Sequence, residues 1–379
     1  MQNFSYCNPT RIVFGKGSIA KLPALIPSSA RLLLTYGGGS IKRNGVYDQI
    51  KAALKDHTVF EFGGIEPNPQ FATCMKAVDL VHSERIDFLL AAGGGSVLDG
   101  TKFIAAAARF GGTDPWDILT GAAVADAVPM GTVLTLPATG SESNGTAVIS
   151  NNKLNEKLFF GSELTYPKFS ILDPEATFTL PPGQTANGIV DAFVHVMEQY
   201  MTFDVNAPLQ VRQAEAILST LIEEGPKVLE NPNDYGARAN IMWCACQALN
   251  GLIACGVPQD WASHMIGHEL TALYGIDHAQ SLAVVLPGVL KNRIASKGPR
   301  LLQCGKRVFG IRTSNPERVI RKIESFFLSL GAKTRLKDYG IPSKAGKIVA
   351  QRLAARKMIL GEKQDIDADA VISILKSRR

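Results

Sequence analysis

The sequence has few cysteines, few aromatic residues and no long apolar run. Only six cysteines occur among 379 residues, and none forms a C-x-x-C pair. The length alone excludes a small disulfide-stapled scaffold. Aromatic residues make up 7% of the chain, and no basic run resembles a nucleic-acid-binding arm. No stretch approaches the roughly 18 consecutive apolar residues of a membrane span. We therefore expect no nucleic-acid partner and no membrane partner.

The N-terminus has no basic segment followed by an apolar one, which is the layout of a secretion signal. Together with cysteines that form no obvious pairs, this predicts a cytoplasmic protein with free thiols. With 46% hydrophobic residues, 20% charged residues and a net charge of +6, the composition is that of an ordinary globular protein. A length of 379 residues exceeds the roughly 100 to 200 of one domain, so we expect two domains.

The first half of the chain alternates apolar runs with helical patterns. The runs are RLLLTY from residue 31, TVFEF from 58, IDFLLAA at 86–92, GTVLTLPAT at 131–139 and FSILDP at 169–174. Continuous apolar strands alternating with helices predict a parallel sheet that is covered on both faces. TAVIS and KLFFG predict a local β insertion.

After residue 180 the pattern is helical. The predicted helices cover 184–202, 206–228, 234–254, 258–274, 279–296, 315–330 and 343–376. We therefore predict an α/β domain over 1–180 and an all-α domain over 181–379.

The GGGS segment at 93–96 lies between a buried strand and a helix. Glycines there let backbone N–H groups approach an anion such as pyrophosphate at the helix N-terminus. The alternative is a plain tight turn. Asp99 and Lys102 on the following helix could form an ion pair that braces the turn or could reach the ligand, and bracing is favoured for Asp99.

A second GGGS segment, at 37–40, ends the first strand and has no carboxylate beside it in the sequence. Enzymes that prefer NAD usually place Asp or Glu at the adenosine ribose, so its absence favours NADP(H). Lys42 and Arg43 could supply favourable charge or could simply be solvated. A Gly39→Asp substitution should erode a preference for NADPH, unless Gly39 is present only because the turn needs a positive φ angle.

The six histidines divide into two groups. His57 and His82 lie among charged residues and are predicted to be solvated surface residues. The other four fall in the helical half together with one aspartate at helical spacing: Asp191, His195, His264, His268 and His278. One carboxylate and several imidazoles can hold a divalent ion such as Fe(II) or Zn(II). Each histidine could instead be a hydrogen-bonded core residue, and the residues alone do not choose among the imidazoles.

Five longer motifs are distributed over almost the whole chain: PTRIVFGKGS at 9–18, GGGSVLDGTK at 93–102, TLPATGSESN at 135–144, ANGIVDAFVHVMEQY at 186–200 and GHELTALYGIDHAQSLAVVLP at 267–287. In their residues and their order they resemble the iron-containing, group III alcohol dehydrogenase family. EFGGIEPNP, DPWDIL and the segment from QALNGLI to GVPQDWA are most similar to the YqhD-type NADPH-dependent aldehyde reductases of that family.

The resemblance implies a role for each of the motif residues. The metal ligands would be Asp191, His195, His264 and His278. His268 would be a non-ligand histidine near the nicotinamide, where it relays a proton or only orients the site. Pyrophosphate would lie on Gly94, Gly95 and Ser96. The other cofactor contacts would come from Gly37, Gly38, Gly39, Ser40, Asn68, Thr135, Thr139 and Lys157.

The resemblance further implies a dehydroquinate synthase-like superfold: an α/β dinucleotide-binding domain with a parallel sheet and an all-α metal-binding domain. The active site would lie between the domains, and the assembly would be a homodimer. We expect reduction of short-chain aldehydes, or oxidation of the alcohols, with NADP(H) and one divalent metal ion. Phe159, Leu252 and Trp261 are suggested as an apolar lining. The alternatives are a dehydroquinate-synthase-like lyase and a metal-dependent hydrolase.

Overall fold

The computed structural model describes residues 1–379, and the apolar runs of the first half form strands in it. The strands are β1 (Arg11–Phe14), β2 (Arg31–Tyr36), β3 (Thr58–Phe62), β4 (Phe88–Gly94), β5 (Met130–Leu136), β6 (Thr146–Asn151), β7 (Glu156–Gly161) and β8 (Phe169–Leu172). Six of them form one parallel sheet in the order β1-β8-β5-β4-β2-β3, and β6 pairs antiparallel with β7. The predicted parallel sheet and the β insertion are confirmed.

The edge strand β1 was not predicted. It has four residues, of which only Val13 is buried, and it pairs with β8 alone. Its apolar run is only the three residues Ile12 to Phe14, which is shorter than the four to eight residues that indicate a strand, so the sequence carries little strand signal.

Four helices accompany these strands: α1 (Ser40–Arg43), α2 (Val46–Ala53), α3 (Phe71–Ser83) and α4 (Gly95–Ala107). The helix α4 follows β4 directly, and all of its residues except Ser96 are buried. Small residues in α4 allow this close packing, as the sequence VLDGTKFIAAAARF suggests. One apolar core of this part contains Leu32, Leu34 and Leu90 from the sheet and Ile50 from α2.

The second half contains no strand. Its helices are α5 (Pro182–Tyr200), α6 (Pro208–Glu230), α7 (Tyr235–Ala248), α8 (Ala262–Tyr274), α9 (His278–Asn292), α10 (Ile294–Arg307), α11 (Pro316–Ser329), α12 (Ala345–Ala355) and α13 (Ala368–Lys376). The predicted all-α class of this half is confirmed. Its core joins Ile266 and Leu270 of α8 to Val285 of α9 and to residues of α12 and α13.

Three of the predicted helix limits are wrong. The helix α7 ends at Ala248 rather than near 254, and the region 343–376 holds two helices instead of one. α10 was missed because only Arg293 separates it from α9. A break of one residue barely disturbs the helical periodicity, so the sequence pattern does not reveal it.

The chain divides into two compact units. The α/β unit holds Cys7–Leu180 and Pro232–Met242, and the helical unit holds Met1–Tyr6, Pro181–Asn231 and Trp243–Arg379. All six cysteines are free thiols. None of the helices combines the length and the apolar stretch that crossing a membrane requires.

Candidate functional site

The helical unit gathers a carboxylate and several imidazoles in its interior. Asp191 and His195 are one turn apart on α5, and His264 lies on α8; all three are at least 95% buried. One ligand atom from each lies within 4.8 Å of the other two. His278, the first residue of α9, brings Nε2 to 3.7 Å from Asp191 Oδ1. The structure therefore brings together the four residues that the resemblance names as metal ligands.

The fifth residue of the group, His268, lies one turn beyond His264 on α8 and is also buried. Its ring centroid is 5.1 Å from that of His278 and 6.4 Å from that of His264. The next residue, Glu269, bonds instead to Arg352 and Arg356.

The donor set fits one divalent metal ion. Asp191 Oδ1 is buried and forms no hydrogen bond, an arrangement that costs free energy unless a cation satisfies the oxygen. One carboxylate oxygen and three imidazole nitrogens suit Fe(II) or Zn(II) and exclude the all-oxygen sites of Ca²⁺. Helical spacing in the sequence predicts that Asp191 lies beside His195 and that His264 lies beside His268. Only the fold brings His278 to Asp191.

Glu198 is a residue of this site that the sequence reasoning missed. It lies on α5 three residues after His195, and its Oε2 is hydrogen-bonded to His264 Nδ1. Its Oε1 accepts the backbone N–H of Ser263 at 2.5 Å. Burial, and next the charge of Asp260, raise the pKa of Glu198, whereas the hydrogen bond from the Ser263 N–H lowers it. Its position on the face of α5 that carries Asp191 and His195 is the signal that could have revealed it.

A buried ion cluster lies behind Glu198. Lys297 Nζ donates to Asp260 Oδ2 at 2.7 Å, to Glu362 Oε2 at 2.8 Å and to the carbonyl oxygen of Met201 at 2.6 Å. Burial alone would lower the pKa of Lys297, but the two carboxylates outweigh it and raise that pKa. Asp260 Oδ1 also accepts the N–H of Ala262 at 2.9 Å and so fixes the start of α8.

Trp261 precedes α8 with a φ angle of 60°, which is rare for a bulky residue. Its ring centroid lies 5.3 Å from that of His264 and 6.2 Å from that of His195. Trp261 is therefore an apolar neighbour of the proposed metal ligands, which agrees with its suggested place in the apolar lining. Leu252 is half-buried in the same unit, whereas Phe159 lies on β7 in the α/β unit and is 53% exposed.

In the α/β unit, the second glycine segment forms the turn from β4 to α4. A Cβ atom on Gly95 would lie 2.5 Å from Thr139 Cγ2, and one on Gly94 would lie 2.9 Å from Leu136 Cβ. No side chain caps the N-terminus of α4. The glycines thus hold a closely packed turn at an uncapped helix N-terminus, a site that suits pyrophosphate.

Three predicted cofactor residues contact one another beside this turn. The N–H of Asn68 donates to Ser96 Oγ at 3.2 Å, and Lys157 Nζ donates to Asn68 Oδ1 at 2.9 Å. Thr135 lies near the end of β5, and Thr139 follows three residues after that strand. The structure therefore gathers Asn68, Ser96 and Lys157 next to Gly94 and Gly95, although they are far apart in the sequence.

Asp99 and Lys102 do not form the direct ion pair that the sequence suggested. Asp99 accepts the Ser141 hydroxyl at 2.6 Å and the N–H of Val148 at 2.9 Å. Lys102 Nζ donates to Asn144 Oδ1 and to the carbonyl oxygen of Thr146, both at 2.9 Å. Asp99 does brace this region, but through a hydroxyl and a backbone N–H, because both side chains find closer partners.

The first glycine segment follows β2, which is adjacent to β4 in the sheet, and it includes Gly37, Gly38, Gly39 and Ser40. Gly39 has a φ angle of 87°, so an Asp there would strain the turn whatever its charge. Gly38 has no positive φ, and a Cβ atom on it would meet nothing within 4 Å. An Asp at Gly38 would therefore add a negative charge to the turn without the strain that it would cause at Gly39.

No carboxylate lies beside this turn in the sequence, but the fold brings Glu61 to the side chain of Tyr36, the residue before Gly37. Glu61 on β3 accepts the Tyr47 hydroxyl at 2.8 Å, Lys51 Nζ at 3.3 Å and the hydroxyl of Tyr36, which precedes Gly37, at 3.4 Å. Burial would raise the pKa of Glu61, but the bonds from Tyr47 and Lys51 lower it. Lys42 lies over the rings of Tyr36 and Tyr47, at 5.0 and 4.8 Å from their centroids.

The prediction for His57 is also wrong. His82 is exposed, as expected, and its Nε2 lies 2.9 Å from the carbonyl oxygen of Ala108. His57 is instead half-buried, and both of its ring nitrogens are shielded from solvent. The neighbouring Lys55 and Asp56 suggested a surface position, but they are exposed while the His57 ring turns inward.

Two family models match the chain, "Iron-containing alcohol dehydrogenase" over residues 9–174 and "Fe-containing alcohol dehydrogenase family, C-terminal" over residues 185–378. The chain is 54% identical to the NADPH-dependent aldehyde reductase YqhD of Escherichia coli K12, covering 100% of both proteins. It is 43% identical to a probable NADH-dependent butanol dehydrogenase of Bacillus subtilis, again over 100% of both.

Solved structures give the same result. A crystal structure of E. coli YqhD superposes with a TM-score of 0.98 at 52% identity, covering 100% of this chain and 99% of that one. An NADH-dependent butanol dehydrogenase A from Thermotoga maritima gives 0.95 at 38% identity, with coverage of 100% and 99%. These findings support an oxidoreductase and not the lyase or hydrolase alternatives. The chain belongs to the iron-containing alcohol dehydrogenase family.

Proposed function

We propose that this protein reduces short-chain aldehydes, and oxidises the corresponding alcohols, with NADP(H) and one divalent metal ion. The observation that carries the proposal is the buried cluster of Asp191, His195 and His264, whose ligand atoms lie within 4.8 Å of one another. The 54% identity to a protein named an NADPH-dependent aldehyde reductase supports the choice of cofactor and substrate. It also favours reduction over oxidation near neutral pH.

Asp191, His195, His264 and His278 are the proposed metal ligands, within a domain that spans 181–379. When bound, an Fe(II) or Zn(II) ion supplies a Lewis acid for the carbonyl oxygen of the substrate. His268 is buried next to the proposed ligands, and the family resemblance implies that it is not one of them. It would hand a ring proton to the product oxygen or orient His278. Trp261 shields the ligand rings from water on one side.

The domain over 1–180 is the proposed dinucleotide domain, and NADPH bound there supplies the hydride. Backbone N–H groups of Gly94, Gly95 and Ser96 at the N-terminus of α4 would hold the pyrophosphate. The adenosine half would lie on the turn after β2, and the remaining contacts follow the cofactor along the strand ends. These residues are Gly37, Gly38, Gly39, Ser40, Asn68, Thr135, Thr139 and Lys157.

The surroundings of Glu61 favour NADPH over NADH. Its carboxylate already accepts three hydrogen bonds, one of them from the cation of Lys51, so its charge is offset. Lys42 is exposed and adds a positive charge close to the turn. A 2′-phosphate therefore meets little repulsion there.

The proposal is tested by metal analysis of the purified protein together with NADPH oxidation over a panel of aldehydes. Chelation should abolish NADPH oxidation with butanal, and either Fe(II) or Zn(II) should restore it. Asp191→Asn and His264→Ala should lower activity by at least a hundredfold, while His82→Ala, at an exposed histidine, should keep wild-type activity. Full turnover by metal-free protein would overturn the proposal.

We propose further that the protein is a cytoplasmic homodimer. The resemblance to dimeric family members supports the assembly, and six free thiols suit a reducing compartment. Size-exclusion chromatography with light scattering should give twice the chain mass of 40.7 kDa, and a monomer mass at micromolar concentration would contradict the dimer.

A further inference from the structure

We propose that Glu198 is a positioning residue for the metal site, acting through His264. The inference rests on the metal centre of the proposed function. It goes beyond the ligand set, because Glu198 contacts a ligand and is not itself one of the four. The observation that carries it is the hydrogen bond between Glu198 Oε2 and His264 Nδ1, formed between two residues that are at least 95% buried.

The two oxygens of Glu198 have separate partners on α8. Oε1 accepts the N–H of Ser263, one of the first N–H groups of that helix, and Trp261 at the helix start provides no side-chain cap. The carbonyl oxygen of Glu198 accepts the N–H of Asp260 at 2.9 Å. Glu198 therefore fixes the segment from Asp260 to His264 at three points, and its side chain caps α8 from a neighbouring helix.

This arrangement sets which nitrogen of His264 serves the metal. A carboxylate that accepts Nδ1–H fixes the tautomer in which Nε2 carries the lone pair, and it holds the ring at one angle. The ring of His264 lies nearly parallel to that of His195, with an interplanar angle of 27° and centroids 4.5 Å apart. If either of these two stacked rings rotates, its nitrogen no longer points at the proposed metal position, so both rings must stay fixed.

The ion cluster behind Glu198 keeps its partner segment rigid. Asp260 is held by Lys297 at 2.7 Å, and Lys297 in turn bonds Glu362, in the connection between α12 and α13. Oε1 of Glu198 is already bonded to Ser263, so only Oε2 is available to His264. The backbone that carries His264 is itself held in place by the ion cluster through Asp260. Removal of such a carboxylate from a metal-bound histidine typically weakens metal affinity by about 10- to 100-fold.

The test measures binding of Zn(II) and Co(II) to metal-free protein, by competition with a chromogenic chelator. Glu198→Gln keeps one carbonyl oxygen, which can serve either Ser263 or His264 but not both. We expect its Kd for Zn(II) to rise about tenfold, that of Glu198→Ala to rise about a hundredfold, and the visible spectrum of bound Co(II) to change in both. Glu215→Gln is the control, because Glu215 is another buried glutamate of this unit and bonds Tyr200, Gln303 and Arg307 rather than a metal ligand.

A purely structural role would lower the melting temperature of the metal-free protein and leave the Kd and the Co(II) spectrum within twofold of wild type; that result overturns the inference. Should Glu198→Ala not fold, Glu198→Gln and Glu198→Asp decide the question by the same two readouts. If wild type and Glu215→Gln bind no divalent metal, the proposed function itself fails. Metal binding by wild type with unchanged binding in Glu198→Gln refutes the positioning role alone.

Discussion

Replacing Gly95 by Ala should weaken dinucleotide binding by filling the turn between β4 and α4. The new Cβ atom would lie 2.5 Å from both Cγ2 and Oγ1 of Thr139 and 3.0 Å from its Cβ. Thr139 cannot move freely, because its Oγ1 accepts the N–H of Ser141 at 3.2 Å. Overpacking of this kind costs about 1 to 3 kcal/mol. The first turn of α4 or Thr139 must shift, and both belong to the proposed cofactor site.

The loss of binding follows from that cost. If the displaced groups are those that hold the pyrophosphate, 1 to 3 kcal/mol corresponds to roughly a 5- to 150-fold rise in Kd. The Kd values of NADPH and NADH should rise by the same factor, because both cofactors carry the pyrophosphate. The assay is equilibrium titration followed by nicotinamide fluorescence, with Zn(II) affinity measured in parallel and expected to stay unchanged.

Gly100→Ala is the matched control for this prediction. Gly100 is also buried in α4, and its added Cβ would lie 3.2 Å from Ile65 Cγ2 and 3.3 Å from Pro69 Cβ. It should lower the melting temperature with a smaller effect on Kd. The reasoning fails if Gly95→Ala lowers the melting temperature while both cofactors bind within twofold of wild type.

Further predictions concern charge and protons. In binding titrations, Gly38→Asp should lower the affinity for NADPH at least tenfold more than the affinity for NADH, because the new carboxylate repels the 2′-phosphate. Gly38→Ala should change both affinities alike. Equal losses of affinity for the two cofactors in Gly38→Asp would refute this site for the 2′-phosphate. Burial lowers the pKa of Lys102 from 10.5 to about 8, so the folded protein releases this proton first. The free energy of unfolding should rise by up to about 3 kcal/mol as the pH increases from about 8 to 10.5, and this gain should be absent below about pH 8, where Lys102 is charged in both states. Lys102→Met should lack this rise in melts across that range; an identical pH dependence would contradict it. His268→Gln should lower kcat about a hundredfold with unchanged metal content, and wild-type kcat would exclude proton relay.

Local patterns made much of the α/β unit predictable from the sequence. β2 and β4 are continuous apolar runs because the sheet buries them on both faces, and each ends in glycines that mark the following turn. Burial of this kind leaves a direct trace in the residues. The edge strand β1 and the boundary at Arg293 leave almost none, since each depends on pairing or packing with distant residues.

The group of proposed metal ligands was only partly predictable for the same reason. Helical spacing places Asp191 with His195, but the approach of His278 to Asp191 depends on the packing of α9 against α5. The bond between Glu198 and His264 joins residues 66 positions apart, so no local pattern contains it. The positive φ angle of Gly39 and the inward ring of His57 are likewise properties of the folded chain.

The most direct test of the account follows deuterium from the cofactor to the product. Protein reconstituted with Zn(II) or Fe(II) is given butanal and NADPH deuterated at both C4 positions, and the butanol is examined by mass spectrometry. One deuterium is expected at C1 of the alcohol, and no butanol is expected from metal-free protein or from Asp191→Asn. Butanol without deuterium, or labelled butanol formed equally well without metal, would contradict it.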